Sequence, residues 1–315
     1  MSMRVLVSGG FGYIGSHLVS YLLKQGIKLG ILSKSKPKSK LGFEDDIHMY
    51  KADLSKKSIH KIYEEYDVFV HLAAANDRDS LNSEIAIKNT TLATKNALEV
   101  CTNNNINKFI YFSTFQVYGS NKGFFDESKN PKPMNDYALT HYFAEQLLQM
   151  YQKKGDIEGI IFRPTNVYGA PASINIDRWS LVPNCFCKEA IDSDTITLNS
   201  SGRQLRDFVS LRDVARFTHY SIENFQDLKN KTVNLASGKS ISILEVAEMV
   251  SQSYSEIFGR DCKLKVLSEF PRHENYLEVS TQTLDNVGFI HDNKHGLKHE
   301  INKIFHLLSE RKHLG

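Results

Sequence analysis

Apolar and polar positions alternate with two different periods along the first half of the chain. Continuous apolar runs that predict buried strands occupy residues 4–10, 28–32, 47–54, 67–74, 108–114 and 159–169. Between them, apolar residues recur every three to four positions, which predicts amphipathic helices at Ser16–Gln25, Ile85–Cys101 and Tyr137–Lys153. Strands that alternate with helices are typical of a parallel sheet with crossover helices. We therefore predict an α/β fold with a doubly wound parallel sheet.

The alternation becomes less regular after Gly169. A strand pattern at 232–237 and a helical pattern at 242–254 still follow, and residues 298–315 predict a closing amphipathic helix. We therefore predict a first domain at 1–168, with a later contribution from about 206–236, and a smaller lobe formed mainly by 169–315.

Composition narrows the classes of function. The chain has 315 residues, 41% of them hydrophobic and 24% charged, with a net charge of +3. This charge is too small to indicate a nucleic-acid partner. No apolar run reaches the ~20 residues of a membrane helix, and Met1 leads directly into a strand. We expect a cytoplasmic protein with no nucleic-acid or membrane partner. Cys185 and Cys187 lack the ligand spacing of a metal site, and we predict none.

A glycine-rich turn follows the first predicted strand. Gly9, Gly12 and Gly15 lie between that strand and the first helix. Glycines at these points allow a tight turn and a close approach of the backbone to a pyrophosphate, and the helix N-terminus offers N–H groups to the anion. The context of strand, turn and helix predicts a dinucleotide site.

The end of the second strand distinguishes the two nicotinamide cofactors. An acidic residue there would bind the adenosine ribose hydroxyls and repel a 2′-phosphate. The chain has Ser33 at this place, followed by Lys34 and Lys36. A neutral residue with basic neighbours favours NADP(H) over NAD(H). A solvated loop whose lysines have no role in cofactor binding would give the same sequence pattern.

Six segments carry a family resemblance: "VSGGFGYIGSHL", "YKADLS", "VFVHLAA", "YFSTFQVYG", "FRPTNVYG" and "RQLRDFVSLRDVA". In this order they resemble the extended short-chain dehydrogenase/reductase family of NAD(P)-dependent nucleotide-sugar epimerases, dehydratases and reductases. The resemblance covers nearly the whole chain. It implies a Rossmann-type cofactor domain, a C-terminal lobe that binds a sugar nucleotide, and a homodimer formed through helices Ile85–Cys101 and Tyr137–Lys153.

The resemblance also implies individual roles. The cofactor-binding residues it implies are Gly9, Phe11, Gly12, Tyr13, Ile14, Gly15, Ser33, Lys34, Asp53, Leu54, Leu72, Ala73, Ala74, Tyr137, His141 and Pro164. The substrate-binding residues it implies are Thr114, Phe115, Asn166, Leu181, Arg206 and Arg272. Thr114 and Tyr137 fall on the catalytic Ser or Thr and the catalytic Tyr. His71 lies on a strand and is interpreted as a core or supporting residue.

His141 departs from the family pattern, which has Tyr-x-x-x-Lys. A tyrosine has a pKa near ~10, so as a base it needs a nearby cation. His141 lies one helical turn after Tyr137, where the lysine should be. An imidazole can bind a ribose hydroxyl but is mostly neutral at pH ~7. Ketone reduction needs the neutral phenol, so His141 favours reduction. The alternatives are an impaired or purely binding homologue and a bystander histidine.

Phe115 and Gln116 narrow the chemistry further. Dehydratases of this family have an Asp-Glu pair at these positions, and decarboxylases have a Glu at the second; neither residue here can act as acid or base. What remains is redox chemistry at one carbon. The favoured interpretation is NAD(P)H-dependent reduction of a nucleotide-linked 4-keto deoxy sugar, with Tyr137 as proton donor. The alternatives are an NAD-dependent 4-epimerase or dehydrogenase and a non-catalytic dinucleotide-binding homologue.

Overall fold

A computed structural model describes residues 3–56, 62–271, 273, 275–292 and 296–313. The chain divides into two units, each built from three stretches. The first unit comprises Met1–Ser120, Glu127–Pro164 and Val214–Leu235, and the second comprises Asn121–Asp126, Thr165–Asp213 and Ala236–Gly315. The assignment of cofactor binding to one predicted domain and of sugar-nucleotide binding to the other stays a prediction.

Within the described residues, the strands are β1 (Arg4–Ser8), β2 (Lys28–Ser33), β3 (Ile47–Lys51), β4 (Val68–His71), β5 (Lys108–Phe112), β6 (Gly123–Phe125), β7 (Glu158–Pro164), β8 (Asn166–Tyr168), β9 (Thr195–Leu198), β10 (Leu205–Ser210), β11 (Thr232–Leu235), β12 (Ser240–Ser242), β13 (Lys263–Val266) and β14 (Leu277–Val279). The α-helices are α1 (Tyr13–Lys24), α2 (Ser83–Ala86), α3 (Ala93–Asn103), α4 (Asp136–Lys154), α5 (Val182–Ser193), α6 (Leu211–Glu223), α7 (Phe225–Leu228), α8 (Ile243–Phe258), α9 (Gln282–Asn286) and α10 (Leu297–His313). Short 3₁₀ turns cover Glu44–Asp46, Asp79–Leu81 and Phe115–Tyr118.

A parallel sheet forms the centre of the first unit. Its seven strands, counted within the described ranges, lie in the order β11-β7-β5-β4-β1-β2-β3, and neighbouring strands pair in parallel. From β1 the chain builds outward first through β2 and β3, and then through β4, β5, β7 and β11. The order therefore reverses between β1 and β4, which is the point where ligands bind in doubly wound sheets. The predicted fold class is confirmed.

Burial on both faces of this sheet explains why its strands read as continuous apolar runs. Val5, Leu6 and Val7 of β1 are completely buried. One core cluster packs Phe69 of β4 and Phe109 of β5 with apolar side chains from the flanking helices. The sheet is thereby a rigid platform for the segments that follow its strands.

Helix α4 begins and ends at clear signals. The Asn135 side chain accepts a hydrogen bond from the Ala138 N–H at 2.8 Å, and Gly155 ends the helix in the left-handed conformation at φ 81°. The predicted helix Ile85–Cys101 lies in a longer segment in which a π-helical turn, Ile87–Leu92, joins α2 to α3. Its apolar period does not reveal that turn.

The second unit contains a three-stranded sheet ordered β12-β10-β8, together with the pairs β13-β9 and β14-β6. Its core joins α5, α8 and α10 around side chains such as Tyr254 and Phe305. The apolar run 159–169, predicted as one strand, forms two: β7 pairs with β5 and β11, and β8 pairs with β10. Pro164 cannot donate a ladder hydrogen bond, which favours a break at this point.

The described residues include neither a membrane-spanning helix nor a cluster of metal ligands. No helix there is both long enough and apolar enough to span a bilayer. No group of three or more His, Cys, Asp or Glu side chains in that part of the chain is arranged to hold a metal ion.

Candidate active site

The glycine-rich turn lies at the carboxyl end of β1. Gly9 has φ +72°, and a Cβ there would lie 2.9 Å from the Ala73 backbone nitrogen. A Cβ on Gly15 would lie 2.1 Å from the Gly9 carbonyl oxygen. Gly12 is the N-cap of α1 and provides no side-chain cap. The turn is thus as tight as its glycines allow, and it leads into the N-terminus of α1, the end of a helix that attracts an anion.

Other residues implied for the cofactor follow the carboxyl ends of β1, β4 and β7. The Leu72 N–H donates to the Ser8 carbonyl at 3.2 Å, and the Ala73 N–H donates to the Ser8 hydroxyl at 3.3 Å. The Phe11 ring stacks on the Phe43 ring with centroids 6.3 Å apart. The remaining positions are Tyr13, buried at the start of α1, Ile14, half-buried beside it, Ala74, half-buried after β4, and Pro164, buried at the end of β7.

The residues implied for the adenosine end follow β2 and β3. The Ser33 hydroxyl donates to the Ser35 carbonyl at 2.8 Å. Hydrogen bonds from Ser55 are the largest cause of a lowered pKa of the Asp53 carboxyl, and the Lys34 cation adds to the effect. Leu54 is buried, and its carbonyl accepts from Asn96 at 2.8 Å. The exposed Lys34 therefore provides positive potential beside Asp53.

Thr114 lies immediately beyond β5 and its side chain is fixed. Its hydroxyl oxygen accepts a hydrogen bond from the Gln116 N–H at 3.2 Å, which leaves the hydroxyl hydrogen to be donated elsewhere. Phe115 is buried and packs against Tyr118, with ring centroids 5.3 Å apart. The segment thus presents a hydroxyl on a rigid turn.

Gly119 closes that turn and brings the loop before α4 against it. Its φ is +73°, and a Cβ there would lie 1.8 Å from the Lys132 carbonyl oxygen. The Lys132 N–H donates to the Val117 carbonyl at 2.8 Å. Asn135, two residues before Tyr137, donates to the Gln116 side chain at 3.3 Å. These contacts tie the start of α4 to the turn that carries Thr114.

Tyr137, His141 and Glu145 follow one another at helical spacing along one face of α4. Tyr137 is half-buried in the first turn, whereas His141 and Glu145 are buried. The Tyr137 and His141 rings meet edge to face with centroids 4.7 Å apart. The residue in the position of the family's lysine therefore lies directly against the tyrosine.

His141 is held on one side and unpaired on the other. Its Nδ1 is 2.8 Å from the Tyr111 hydroxyl, and its buried Nε2 has no hydrogen-bond partner among the described residues. Burial lowers the pKa of His141 to about 3, so the imidazole is neutral at physiological pH. A buried ring nitrogen without a partner is costly unless a ligand satisfies it.

A buried ion pair connects the segments that carry Thr114 and Tyr137. Arg163 of β7 donates to both Glu145 oxygens, at 3.0 and 2.6 Å, and the Ser113 hydroxyl donates to Glu145 at 2.5 Å. Ser113 directly precedes Thr114, and Glu145 lies two turns along α4 from Tyr137. The pair therefore sets the position of α4 relative to the end of β5, and with it the position of Tyr137 relative to Thr114.

The residues implied for the substrate lie in the second unit, apart from Thr114 and Phe115. The Asn166 amide of β8 donates to the carbonyl of Asp207, next to Arg206, at 2.8 Å. The Arg206 guanidinium donates to the Leu205 carbonyl at 2.8 Å, and burial lowers its pKa. Leu181 occupies the N-cap position of α5. Arg272 lies outside the described residues. The small sheet thus brings Asn166 and Arg206 together.

Sequence reasoning missed Tyr111, Glu145 and Arg163. One signal was available: Glu145 continues the spacing of Tyr137 and His141 along a face that is otherwise core. A carboxylate in such a position needs a buried cation. Nothing in the linear pattern distinguishes Tyr111 from any other aromatic strand residue.

Known proteins resemble this chain over nearly its whole length. The model of the NAD dependent epimerase/dehydratase family matches residues 5–236. A putative UDP-glucose 4-epimerase of Methanocaldococcus jannaschii is 29% identical over 252 residues, which are 78% of this chain and 81% of that protein. A GDP-6-deoxy-D-talose 4-dehydrogenase of Aggregatibacter actinomycetemcomitans is 26% identical over 279 residues, 87% and 86% of the two chains.

A solved structure of a nucleotide-sugar epimerase resembles this chain in fold. The structure of a UDP-N-acetylglucosamine 4-epimerase from Methanobrevibacter ruminantium M1, in complex with UDP-N-acetylmuramic acid, superposes with a TM-score of 0.83. It is 25% identical in sequence, and the match covers 98% of this chain and 99% of that one. The family match extends from β1 to just beyond β11, and so includes every segment that carries the glycine turn, Thr114, Tyr137 and His141. The chain belongs to the NAD dependent epimerase/dehydratase family of nucleotide-sugar enzymes.

Proposed function

We propose that this protein is an NAD(P)-dependent oxidoreductase that reduces a ketone at C4 of a nucleotide-linked sugar. The observation that carries the direction of reaction is the neutral, buried His141 against Tyr137. The family's redox chemistry at a sugar carbon and the retained Thr114 and Tyr137 support the reaction class.

The first unit fits a nicotinamide dinucleotide. The uncapped start of α1 would hold the pyrophosphate, Asp53 the adenine, and Tyr137 with the unpaired Nε2 of His141 the nicotinamide-side ribose. When bound, the dinucleotide supplies or accepts the hydride. Ser33 and Lys34 support NADP(H), because neither would repel a 2′-phosphate.

Proton transfer falls to Tyr137. Its phenol donates a proton to the carbonyl oxygen as that oxygen becomes an alkoxide, and the Thr114 hydroxyl donates a hydrogen bond to the same oxygen. A neutral imidazole does not stabilise a phenolate as an ammonium would, so His141 favours the phenol form of Tyr137 over the phenolate. A protonated tyrosine is the form that reduction needs.

Asn166 and Arg206 are proposed to bind the diphosphate of the sugar nucleotide. Arg206 provides a cation on β10, and Asn166 an amide on the adjacent β8. We assign Leu181 to the base and Phe115 to the sugar on the family resemblance.

A retained-cofactor 4-epimerase is the second candidate. The 4-epimerases among the relatives and solved structures favour it, as do Phe115 and Gln116, which exclude elimination chemistry. An epimerase must oxidise and reduce at comparable rates, so Tyr137 would have to act as a base without a neighbouring ammonium.

One experiment separates these functions. The purified protein is mixed with NADPH or NADH and either a panel of nucleotide-linked 4-keto sugars or the corresponding alcohols, and the reduced-nicotinamide absorbance and the sugar products are followed. Steady multiple-turnover loss supports the reductase and identifies the cofactor. Conversion of nucleotide-linked alcohols into C4 epimers, without net loss of reduced cofactor, supports the epimerase. If neither reaction occurs and the dinucleotide still binds, the protein is a non-catalytic dinucleotide-binding homologue.

We also propose a homodimer through α2–α3 and α4. Apolar side chains remain exposed on these helices: Ile85 is 40% exposed, Ile87 49%, Phe143 45% and Met150 41%. A second copy would remove them from water. The proposed dimer is tested by light scattering during size-exclusion chromatography of the wild type and of Phe143→Glu. A wild-type dimer that dissociates in the variant supports the proposal, and a wild-type monomer refutes it.

A further inference from the structure

A chain of buried polar side chains runs through the first unit behind Tyr137. Its members are consecutive hydrogen-bond neighbours from the end of β1 to α4: Ser8, His71, Thr94, Tyr111 and His141. All of them are buried. Polar groups at such depth persist when each finds a partner, so their hydrogens must be arranged consistently.

The first half of the chain has a definite hydrogen order. The Thr94 hydroxyl donates its hydrogen to the Thr90 carbonyl at 2.8 Å, so its oxygen accepts the hydrogen of His71 Nε2 at 3.1 Å. His71 Nδ1 is then unprotonated and accepts from the Ser8 hydroxyl at 2.6 Å. Burial lowers the pKa of His71 to about 3, so this ring has one N–H only.

Two arrangements remain at the other end. The Tyr111 hydroxyl donates either to His141 Nδ1, at 2.8 Å, or to the Thr94 oxygen. In the first case the single hydrogen of His141 is on Nε2, and in the second it is on Nδ1. The Thr94 hydroxyl donates its own hydrogen to the Thr90 carbonyl, so Thr94 can bond to Tyr111 only as an acceptor. The second arrangement therefore makes one hydrogen bond more than the first and is the more stable.

We infer that Tyr111 is a positioning residue that fixes the tautomer of His141, so that Nδ1 carries the hydrogen and Nε2 accepts a hydrogen bond from a ribose hydroxyl of the dinucleotide. Nε2 has no partner among the described residues, as a nitrogen reserved for a ligand requires. Burial raises the pKa of Tyr111, which keeps its hydroxyl protonated. In this chain a phenol and an imidazole together present a hydrogen-bond acceptor where a lysine provides a donor in the family. The inference rests on the proposed dinucleotide site.

The tautomer can be read directly. ¹⁵N-labelled histidine side chains show by chemical shift which ring nitrogen is protonated, and the signals of His141 among 12 histidines are identified by their loss in His141→Gln. We expect a protonated Nδ1 and an unprotonated Nε2 in the free wild-type protein. A hydrogen on Nε2 would overturn the inference. Because this measurement needs no bound dinucleotide, a protein that binds none would refute the proposed function and still give an answer here.

Dinucleotide affinity provides a second readout. Tyr111→Phe leaves the Nδ1–H buried without an acceptor, and we expect it to weaken NAD(P)H binding by about tenfold in titration calorimetry. In a His141→Lys background the same change should cost less than about twofold, because no Nδ1 remains to be held. Tyr66→Phe, which removes a buried hydroxyl bonded to Tyr50, is the matched control and should bind as the wild type does. An equal penalty in both backgrounds would show a packing role and overturn the inference.

Discussion

Replacing His141 with lysine tests the proposed direction of catalysis. The Tyr137 and His141 ring centroids are 4.7 Å apart, so an ammonium at position 141 would lie on the order of 6 Å from the phenol oxygen. At an effective dielectric constant of about 20, one charge at that distance stabilises a phenolate by about 2.8 kcal/mol. This corresponds to about two pKa units, and burial of the lysine reduces it to about one to two.

The sign of the effect differs between the two directions of reaction. The cation favours the phenolate, so the pKa of Tyr137 in the variant should be lower than in the wild type. Oxidation of the alcohol uses the phenolate and rises with pH through this pKa, so its rising limb should move to lower pH by about one to two units. Reduction uses the phenol, and its falling limb should move in the same direction.

The assay measures kcat/KM against pH for both directions, in the wild type, His141→Lys and His141→Gln. The glutamine variant retains a neutral hydrogen-bond donor, so its limbs should coincide with those of the wild type. The ¹³Cζ shift of Tyr137 reports the same titration without any substrate. Coincident profiles for the wild type and the lysine variant would refute the reasoning, because they would show that no charge at position 141 reaches the phenol.

Three further predictions concern stability. Both His71 and His141 have a folded-state pKa of about 3, so these histidines are protonated in the unfolded chain before they are in the folded one as the pH falls. The free energy of unfolding in urea should therefore drop by about 4 kcal/mol between pH ~7 and ~5 because of these two residues. The variant His141→Gln should retain about half of this drop. Glu145→Gln leaves a buried guanidinium without its counter-ion and should lower the free energy of unfolding by about 3–5 kcal/mol. Gly119→Ala should lower the free energy of unfolding by at least about 2 kcal/mol more than Gly155→Ala. Both glycines have positive φ, but only at Gly119 would the added Cβ overlap another atom, the Lys132 carbonyl oxygen.

Each of these has a result that would contradict it. An unchanged pH slope in His141→Gln would mean that this ring is protonated equally in both states. The exposed pair Lys188–Asp192 is the control for the buried ion pair, and Asp192→Asn should lower the free energy of unfolding by less than about 1 kcal/mol. An equally small loss in Glu145→Gln would show that the Arg163–Glu145 pair is not an anchor. Equal losses for the two alanine variants would mean that the Lys132 segment moves away freely.

The periodicity of apolar residues predicted the central sheet because its strands are buried on both faces and its helices on one. Local chemistry also located the glycine turn, since three glycines between a strand and a helix have few other uses. The break after Pro164 was missed, because the apolar run continues through it and the proline was the one local signal that β7 and β8 pair with different neighbours. The π-helical turn was not predictable, because its extra residue leaves the polar pattern of the helix almost unchanged.

The residues of the candidate site also differ in whether the sequence could reveal them. Tyr137 and Thr114 were accessible because motifs carry them, and His141 because it departs from a motif. Tyr111 and Arg163 lie 30 and 22 residues from His141 along the chain and meet this face of α4 only through the fold. Hydrogen-bond partners that are distant in sequence leave no local trace, so a buried neutral imidazole with one unpaired nitrogen emerges from coordinates alone.

The order in which the sheet is completed has a consequence for biosynthesis. The edge strand β11, Thr232–Leu235, is synthesised more than 60 residues after its partner β7, Glu158–Pro164. Until the ribosome has released that later segment, β7 presents open backbone N–H and C=O groups beside buried side chains such as Phe162. Such an edge is a template for pairing with other nascent chains. Slow translation of residues 165–231, or a shortage of chaperones during it, should therefore reduce the yield of folded protein more than the same delay after Leu235.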